Sequence, residues 1–261
     1  MMLGNSGATI EIDRDEYGES VVKRGGDTDL RKQAEICEYL GPSVCPKVSC
    51  VTDTSYRMEY LCHIPIGMHP AGTFMSMIHL LRECVWNRKP LSDPNDGRWL
   101  DQLRDWNAEF APWITRDLLA ALYSGGTVPE MIHGDPTLAN AMCREDGSLI
   151  LIDPLPARHA TPSLREVDVG KILQSVSGWE GIKVGREASR VNIDPQDIVD
   201  ACSCDDDIYL SGMHWNGRCY LWAAIHCARV VRHGNPTTQM RYWSEIESRR
   251  WTEECRRVIS V

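Results

Sequence analysis

His133-Gly134-Asp135-Pro136-Thr137-Leu138-Ala139-Asn140, followed by Ile152-Asp153-Pro154, is the stretch that decides how this chain is read. Between the two blocks, Ala141-Met142-Cys143-Arg144 and Ser148-Leu149-Ile150-Leu151-Ile152 are short apolar runs flanking Glu145-Asp146-Gly147. Asp-Gly between such runs is a strong hairpin signal. A hairpin pairs its own ends, so Asn140 at the mouth of the first strand and Asp153 at the mouth of the second are expected side by side, although 13 positions apart. Two oxygen ligands on one rim suit a hard cation that keeps most of its waters and takes the rest of its shell from nucleotide phosphates. Asp135 starts the loop that feeds this rim and is placed there to receive a proton.

The same residues are similar to the H-R-D-x-x-x-x-N and D-F-G elements of protein kinases, in which one Asp orients the acceptor hydroxyl while the Asn and the second Asp hold magnesium. With Gly in place of Arg and Pro where D-F-G ends in Gly, the block from Met131 to Asn140 resembles the aminoglycoside phosphotransferase and choline kinase-like superfamily of small-molecule kinases. The resemblance implies an α+β, two-lobed protein kinase-like fold, with a small β-rich lobe followed by a larger, mostly helical one. It also implies ATP and Mg²⁺, with the γ-phosphoryl group passing to a hydroxyl of a small molecule such as a sugar, an aminoglycoside or an amino alcohol. In that frame Asp135 orients and deprotonates the acceptor, Asn140 and Asp153 hold Mg²⁺, and His133 is a structural member of the catalytic loop. Asp168 then resembles the later aspartate that braces that loop. The run Asp168-Val169-Gly170-Lys171-Ile172-Leu173-Gln174-Ser175 is also similar to kinases found among capsule and surface-sugar genes, a pointer to sugar-like acceptors.

Upstream, Val21-Val22-Lys23 resembles the kinase strand whose lysine contacts the α and β phosphates and pairs with a helix glutamate. Glu35 is the partner this implies, with Glu38 one turn later as its rival. Gly4-Asn5-Ser6-Gly7 can lay backbone N–H groups over phosphates, since glycines permit close approach and Asn and Ser add side-chain donors; the other reading is a plain turn. Met58-Glu59-Tyr60-Leu61 resembles a hinge, where backbone groups at Glu59 and Leu61 would meet the adenine.

The whole chain bounds these readings. Its 261 residues can bury a substantial core in one large domain or two lobes. A net charge of -9 argues against nucleic-acid and anionic-membrane partners and is compatible with a cationic or neutral ligand, while the ATP site itself must be locally positive. Eleven scattered cysteines without a C-x-x-C read as reduced, mostly core thiols. No apolar run reaches membrane-spanning length, and the start lacks a basic segment before an apolar one, so a cytoplasmic protein is expected.

Residues 1–61 read as the nucleotide-binding lobe ending in the hinge, and residues 62–261 as the helical catalytic and substrate-binding lobe. In the first, strands over Ala8 to Ile12 and Ser20 to Lys23 precede a helix from Leu30 to Leu40, capped by Asp29 and stopped by Gly41-Pro42. Further strands are expected over Val48 to Val51 and Tyr56 to Leu61. The second has apolar periodicity over Phe74 to Val85, Leu100 to Phe110, Trp113 to Tyr123, Glu166 to Ser177, Gln196 to Cys202, Trp215 to Arg232 and Thr238 to Ile259. Two features could meet an acceptor: Asp205-Asp206-Asp207, otherwise a solvated acidic turn, and Trp179, Trp215 and Trp222, otherwise core.

A protein kinase fits less well. Only 14 residues separate Asp153 from Asp168, A-P-E is missing, and no Arg precedes Asp135. A noncatalytic nucleotide-binding module is a further alternative, against which the intact Asp135, Asn140 and Asp153 count.

Overall fold

The computed structural model describes residues 2–3, 8–16, 18–25, 29–63, 70–91, 98–122, 130–155, 163–203, 213–232 and 236–259. Gly4, Asn5, Ser6 and Gly7, and likewise Asp205, Asp206 and Asp207, lie outside the described residues.

The N-terminal region is an antiparallel sheet of β1 (Met2–Leu3), β2 (Thr9–Asp15), β3 (Gly18–Arg24), β4 (Val48–Ser49) and β5 (Ser55–Glu59), in the order β1-β2-β3-β5-β4. β3 is the central strand, and Lys23 sits between Ile10 of β2 and Tyr56 of β5. Val21 and Lys23, two apart, point to the face covered by helix α1 (Leu30–Leu40). That helix starts where the Asp29 side chain accepts from the Lys32 N–H at 3.1 Å and stops at Gly41, whose φ of 79° suits glycine. Leu30 and Ala34 pack with Val21, Tyr56 and Met58, while Ile36, Cys37 and Leu40 join the larger core of the C-terminal region. One short helix therefore ties the sheet to the rest of the protein.

Beyond Leu61, β6 (Cys62–His63) pairs with the hairpin β7 (Ala141–Cys143) and β8 (Leu149–Leu151) to form a second, three-stranded sheet. The remaining described elements are helical: α2 (Pro70–Cys84), α3 (Arg98–Phe110), α4 (Arg116–Ala121), α5 (Arg165–Val176), α6 (Trp179–Lys183), α7 (Pro195–Cys202), α8 (Trp215–Arg229) and α9 (Thr238–Ile259). The expected α+β architecture is the one observed. The third expected helix starts at Arg116 rather than Trp113, because Thr115 caps it by accepting from the Leu118 N–H. The short α6 and the strand β6 carry no sequence period long enough to announce them. Among the described residues, no helix is long and apolar enough to cross a membrane.

α8 packs against α5 and α9 and is buried along nearly its whole length. Trp215 and Trp222 belong to this core, and Trp179 packs on Trp243 with ring centroids 5.6 Å apart, so these tryptophans are packing residues. Six of the described cysteines, at 37, 45, 202, 219, 227 and 255, are buried, in keeping with the expected core positions.

The α5–α8 contact depends on Gly170, where an added Cβ would meet Trp222 Cβ at 2.7 Å and the Ala223 nitrogen at 2.9 Å. Helix propensity alone favours Ala over Gly by about 0.5–1 kcal/mol. Backbone and Cβ atoms cannot swing aside, so overpacking of about 1–3 kcal/mol should win. Gly170→Ala is expected to lower the urea midpoint at unchanged m. A midpoint equal to or above wild type would show that the two helices can separate freely.

Candidate functional site

The hairpin closes with Ala141 opposite Leu151, and the pairing continues into the site, where the Ile152 N–H donates to the Asn140 carbonyl at 2.9 Å. Asp153 follows at once with φ of 57°, a left-handed conformation uncommon for a residue with a side chain. That turn directs its carboxylate to Lys23, with Oδ1 2.8 Å from Nζ. Asn140 closes a 3-10 turn over residues 138–140, in which its N–H donates to the Thr137 carbonyl.

Asp135 reaches the same rim because the loop over residues 133–135 runs beside residues 153–155. The Leu155 N–H donates to the His133 carbonyl at 2.8 Å. Between them Gly134 has φ of 84°, and a Cβ there would meet the Leu155 carbonyl oxygen at 2.6 Å. Both facts require glycine, which explains in physical terms why Gly stands between His133 and Asp135.

Both carboxylate oxygens of Asp135 are engaged. Oδ2 accepts from Asn140 Nδ2 at 2.8 Å, and Oδ1 lies 3.0 Å from Lys171 Nζ. The same Asn140 amide also donates to the Asp135 carbonyl at 2.9 Å, which leaves Asn140 Oδ1 as an acceptor. Burial pushes the Asp135 carboxyl up, and the charge and hydrogen bond of Lys171 with the charge of Lys183 outweigh it, so the group lies below its ordinary value and is ionised at neutral pH. His133 itself is fully enclosed, and burial lowers it to about 4, so its ring is neutral. Its Nδ1 accepts from the Asp135 N–H at 3.4 Å, a structural contact rather than a base in waiting.

Asp168, at the start of α5, supports this loop from below. Its Oδ2 accepts from the His133 N–H at 2.9 Å and from Trp86 Nε1 at 3.0 Å, and its Oδ1 accepts from the Gly134 N–H at 2.7 Å. Leu138 is held by a second α5 residue, its N–H donating to Ser175 Oγ at 3.2 Å.

Lys23 is only 1 % exposed, and its partners differ from expectation. Glu35 points away, with 55 % of its side chain exposed beside Arg31. Glu38 also lies on the exposed side of α1. Lys23 donates instead to Gln33 Oε1 at 3.0 Å, and Gln33 Nε2 donates to the Pro154 carbonyl at 3.0 Å. The reason is helical geometry: Gln33 shares the buried face with Leu30, Ala34 and Cys37, whereas Glu35 and Glu38 fall on the solvent side. An amide on that face was the available sequence signal.

Glu59 ends β5 with its carboxylate committed, Oε1 accepting from Arg144 Nε at 2.7 Å and Oε2 from the Lys47 N–H at 3.0 Å. The Glu59 N–H is committed as well, donating to the Lys47 carbonyl at 3.0 Å, and Leu61 beyond it is buried. An open cavity of about 630 Å³ lies here, lined by Glu19, Glu59, Tyr60, Leu61, Arg144, Glu145 and Asp146.

Asn140 Oδ1 and the Asp153 carboxylate are hard oxygen donors of the kind that Mg²⁺ takes, and two suffice for an ion that draws its other ligands from water and phosphates. Among the described residues, no group of three or more His, Cys, Asp or Glu is placed to hold a metal ion.

Compared by sequence, the chain matches no protein-family model and no curated protein. Compared by structure, it is similar to the choline kinase LicA from Streptococcus pneumoniae, at 10% identity and a TM-score of 0.55, over 94% of this chain and 89% of that one. It is also similar to a Plasmodium vivax ethanolamine kinase, at 9% identity and a TM-score of 0.53, over 92% and 81% of the two chains. A protein assigned as an aminoglycoside phosphotransferase from Ralstonia eutropha matches at 14% identity and a TM-score of 0.54, over 96% and 93%. The fold is thus the kinase-like α+β fold of the choline kinase and aminoglycoside phosphotransferase structures.

Proposed function

We propose that the protein is an ATP-dependent phosphotransferase that moves the γ-phosphoryl group to a hydroxyl of a small molecule of the sugar, aminoglycoside or amino alcohol type. The observation that carries this reading is the meeting of Asp135, Asn140 and Asp153 on one rim, with Lys23 salt-bridged to Asp153. Likeness to choline, ethanolamine and aminoglycoside kinases supports it at the level of fold.

Residues 1–61 and 62–261 would form the two lobes, with the nucleotide between them. β3 runs from Glu19 at the hinge-side cavity to Lys23 at the acidic rim, roughly 13 Å at about 3.3 Å per residue, a span suited to a nucleoside with its phosphates. Backbone at Glu59 and Leu61 would face the base, and Lys23 would position the phosphates. Asn140 and Asp153 would hold Mg²⁺, which when bound neutralises charge on the phosphate oxygens. Asp135 orients the acceptor hydroxyl and takes its proton. The hydroxyl oxygen forms a bond to the γ-phosphorus while the bond from that phosphorus to the β,γ-bridging oxygen breaks, its electron pair leaving with ADP. Alignment and charge neutralisation supply most of the rate in such a reaction.

Binding tests the nucleotide half of this reading. A ligand present at a hundred times its dissociation constant stabilises a fold by about 2.7 kcal/mol if the unfolded chain does not bind it. Mg·ATP should raise the melting temperature of the wild type accordingly, and both Lys23→Ala and Asp153→Ala should shrink that rise at the same ligand concentration. Equal shifts in all three proteins would remove Lys23 and Asp153 from the site.

A further inference from the structure

Lys171 has no part in the reaction as described, yet it touches the base. It is the one residue of α5 that is not buried, in a helix whose other side chains are packed against the core. Its Nζ lies 3.0 Å from Asp135 Oδ1 and 3.3 Å from Gln174 Oε1, with 19 % of the side chain exposed. Gln174 is itself fixed by donating to the His226 carbonyl at 2.8 Å, and Gly170 locks the adjoining turn against Trp222. The ammonium is therefore held at the mouth of the site by a rigid element.

Holding Asp135 in place does not account for it. Asn140 already bonds both the carboxylate and the carbonyl of Asp135. A cation beside a general base also favours its charged form and so weakens it as a proton acceptor. The arrangement becomes useful when the charge to be stabilised belongs to the transferred group. An acceptor oxygen hydrogen-bonded to Asp135 sits about 2.6–3.2 Å from the carboxylate and about 3–3.5 Å from the phosphorus it attacks. An ammonium already 3.0 Å from that carboxylate is one side-chain adjustment away from the oxygens on the same phosphorus. Lysine has a flexible stem and three donors, so it can reach a phosphoryl oxygen without leaving Asp135 or Gln174. Lys23, bound to Asp153, is a second ammonium at this rim.

We propose that Lys171 is a catalytic residue, its ammonium binding the γ-phosphoryl oxygens from the acceptor side as the group is transferred. The proposal rests on the phosphotransferase reading of the site. Its test uses Mg·ATP with water as the acceptor, and Mg·ADP with aluminium fluoride as a mimic of the group in transfer. Wild type, Lys171→Met and Lys171→Arg are compared for ADP release and for melting temperature with Mg·ADP, with and without the fluoride. Lys171→Met is expected to fold, to keep its KM for ATP, and to lose kcat by about 10²-fold, the usual effect of removing one preorganised donor. It should also lose the extra stabilisation brought by the fluoride, with Lys171→Arg recovering part of both.

A kcat equal to wild type overturns the proposal. So does a reduced kcat with the fluoride increment intact, since a residue that only held Asp135 would give that result. A wild type that neither releases ADP nor gains stability from Mg·ATP instead removes the phosphotransferase reading, and Lys171 with it. Should Lys171→Met fail to fold, Lys171→Gln, which keeps a polar side chain but no charge, takes its place, and a kcat and fluoride increment equal to wild type overturn the proposal.

Discussion

Asp135→Asn should retain the stabilisation by Mg·ATP while losing acceptor-dependent ADP release by at least about two orders of magnitude. The wild-type carboxyl is ionised at neutral pH, since Lys171 and Lys183 outweigh the effect of burial, so it can take a proton as soon as the acceptor binds. The amide has nearly the same size and can still accept from Asn140, but it cannot take the proton. A positioned base contributes about 10²–10⁴ in rate, whereas a group that touches only the acceptor adds little to nucleotide affinity. Binding and turnover should therefore separate in this variant. The measurement is a pair of titrations, melting temperature against Mg·ATP and ADP release against a panel of sugars, aminoglycosides and amino alcohols. If wild type releases no ADP with any of them and the variant behaves identically, the chain is a nucleotide-binding module and not an enzyme.

The separation between what the sequence reveals and what it conceals follows from the range of the interactions. Asp-Gly at the hairpin turn, the Asp29 cap and the Gly41 stop are local, and each was readable because its chemistry is complete within a few residues. Asn140 beside Asp153 belongs to the same class, since a hairpin fixes its own ends. Contacts between elements distant in the chain are a different matter. Lys23 meets Asp153 across 130 positions, and Asp168 reaches back to Trp86 across 82, which no period or spacing encodes. Even so, two long-range features left local traces. Gln33 is an amide on the apolar face of α1, and Lys171 is a charged residue within the nearly continuous buried run of α5, one turn after Asp168. A polar side chain on a buried face must find a partner, so each of these positions announces a contact without naming it. Glu35 gave no such signal: it belongs to the solvent face, where a glutamate needs no partner.

Asp168→Ala should cost the fold most of its stability. The carboxylate is fully buried and accepts from the His133 and Gly134 N–H groups and from the Trp86 indole. Each buried donor left without a partner costs about 1–3 kcal/mol, so three place the loss at roughly 3–9 kcal/mol. Against a typical total of about 5–15 kcal/mol, the alanine protein should unfold at low urea or fail to fold. Asp168→Asn keeps the volume and one accepting oxygen, loses the bond to Gly134, and so should survive for a second measurement. Burial pushes the Asp168 carboxyl up from 3.8 to about 6, outweighing the hydrogen bonds from Trp86, His133 and Gly134. The folded state thus holds this proton more tightly than the unfolded chain does. The stabilisation that follows is complete below about pH 3.8, falls between there and about pH 6, and is gone above. Its size is on the order of 3 kcal/mol at about 1.4 kcal/mol per unit. Asparagine cannot titrate, so the stability of wild type relative to Asp168→Asn, from urea unfolding, should decline as the pH rises from 4 to 7. A difference that grows over that range would mean that the three hydrogen bonds to the ionised carboxylate outweigh its burial, and that the loop carrying Asp135 is held by a charge at every pH at which the protein is folded.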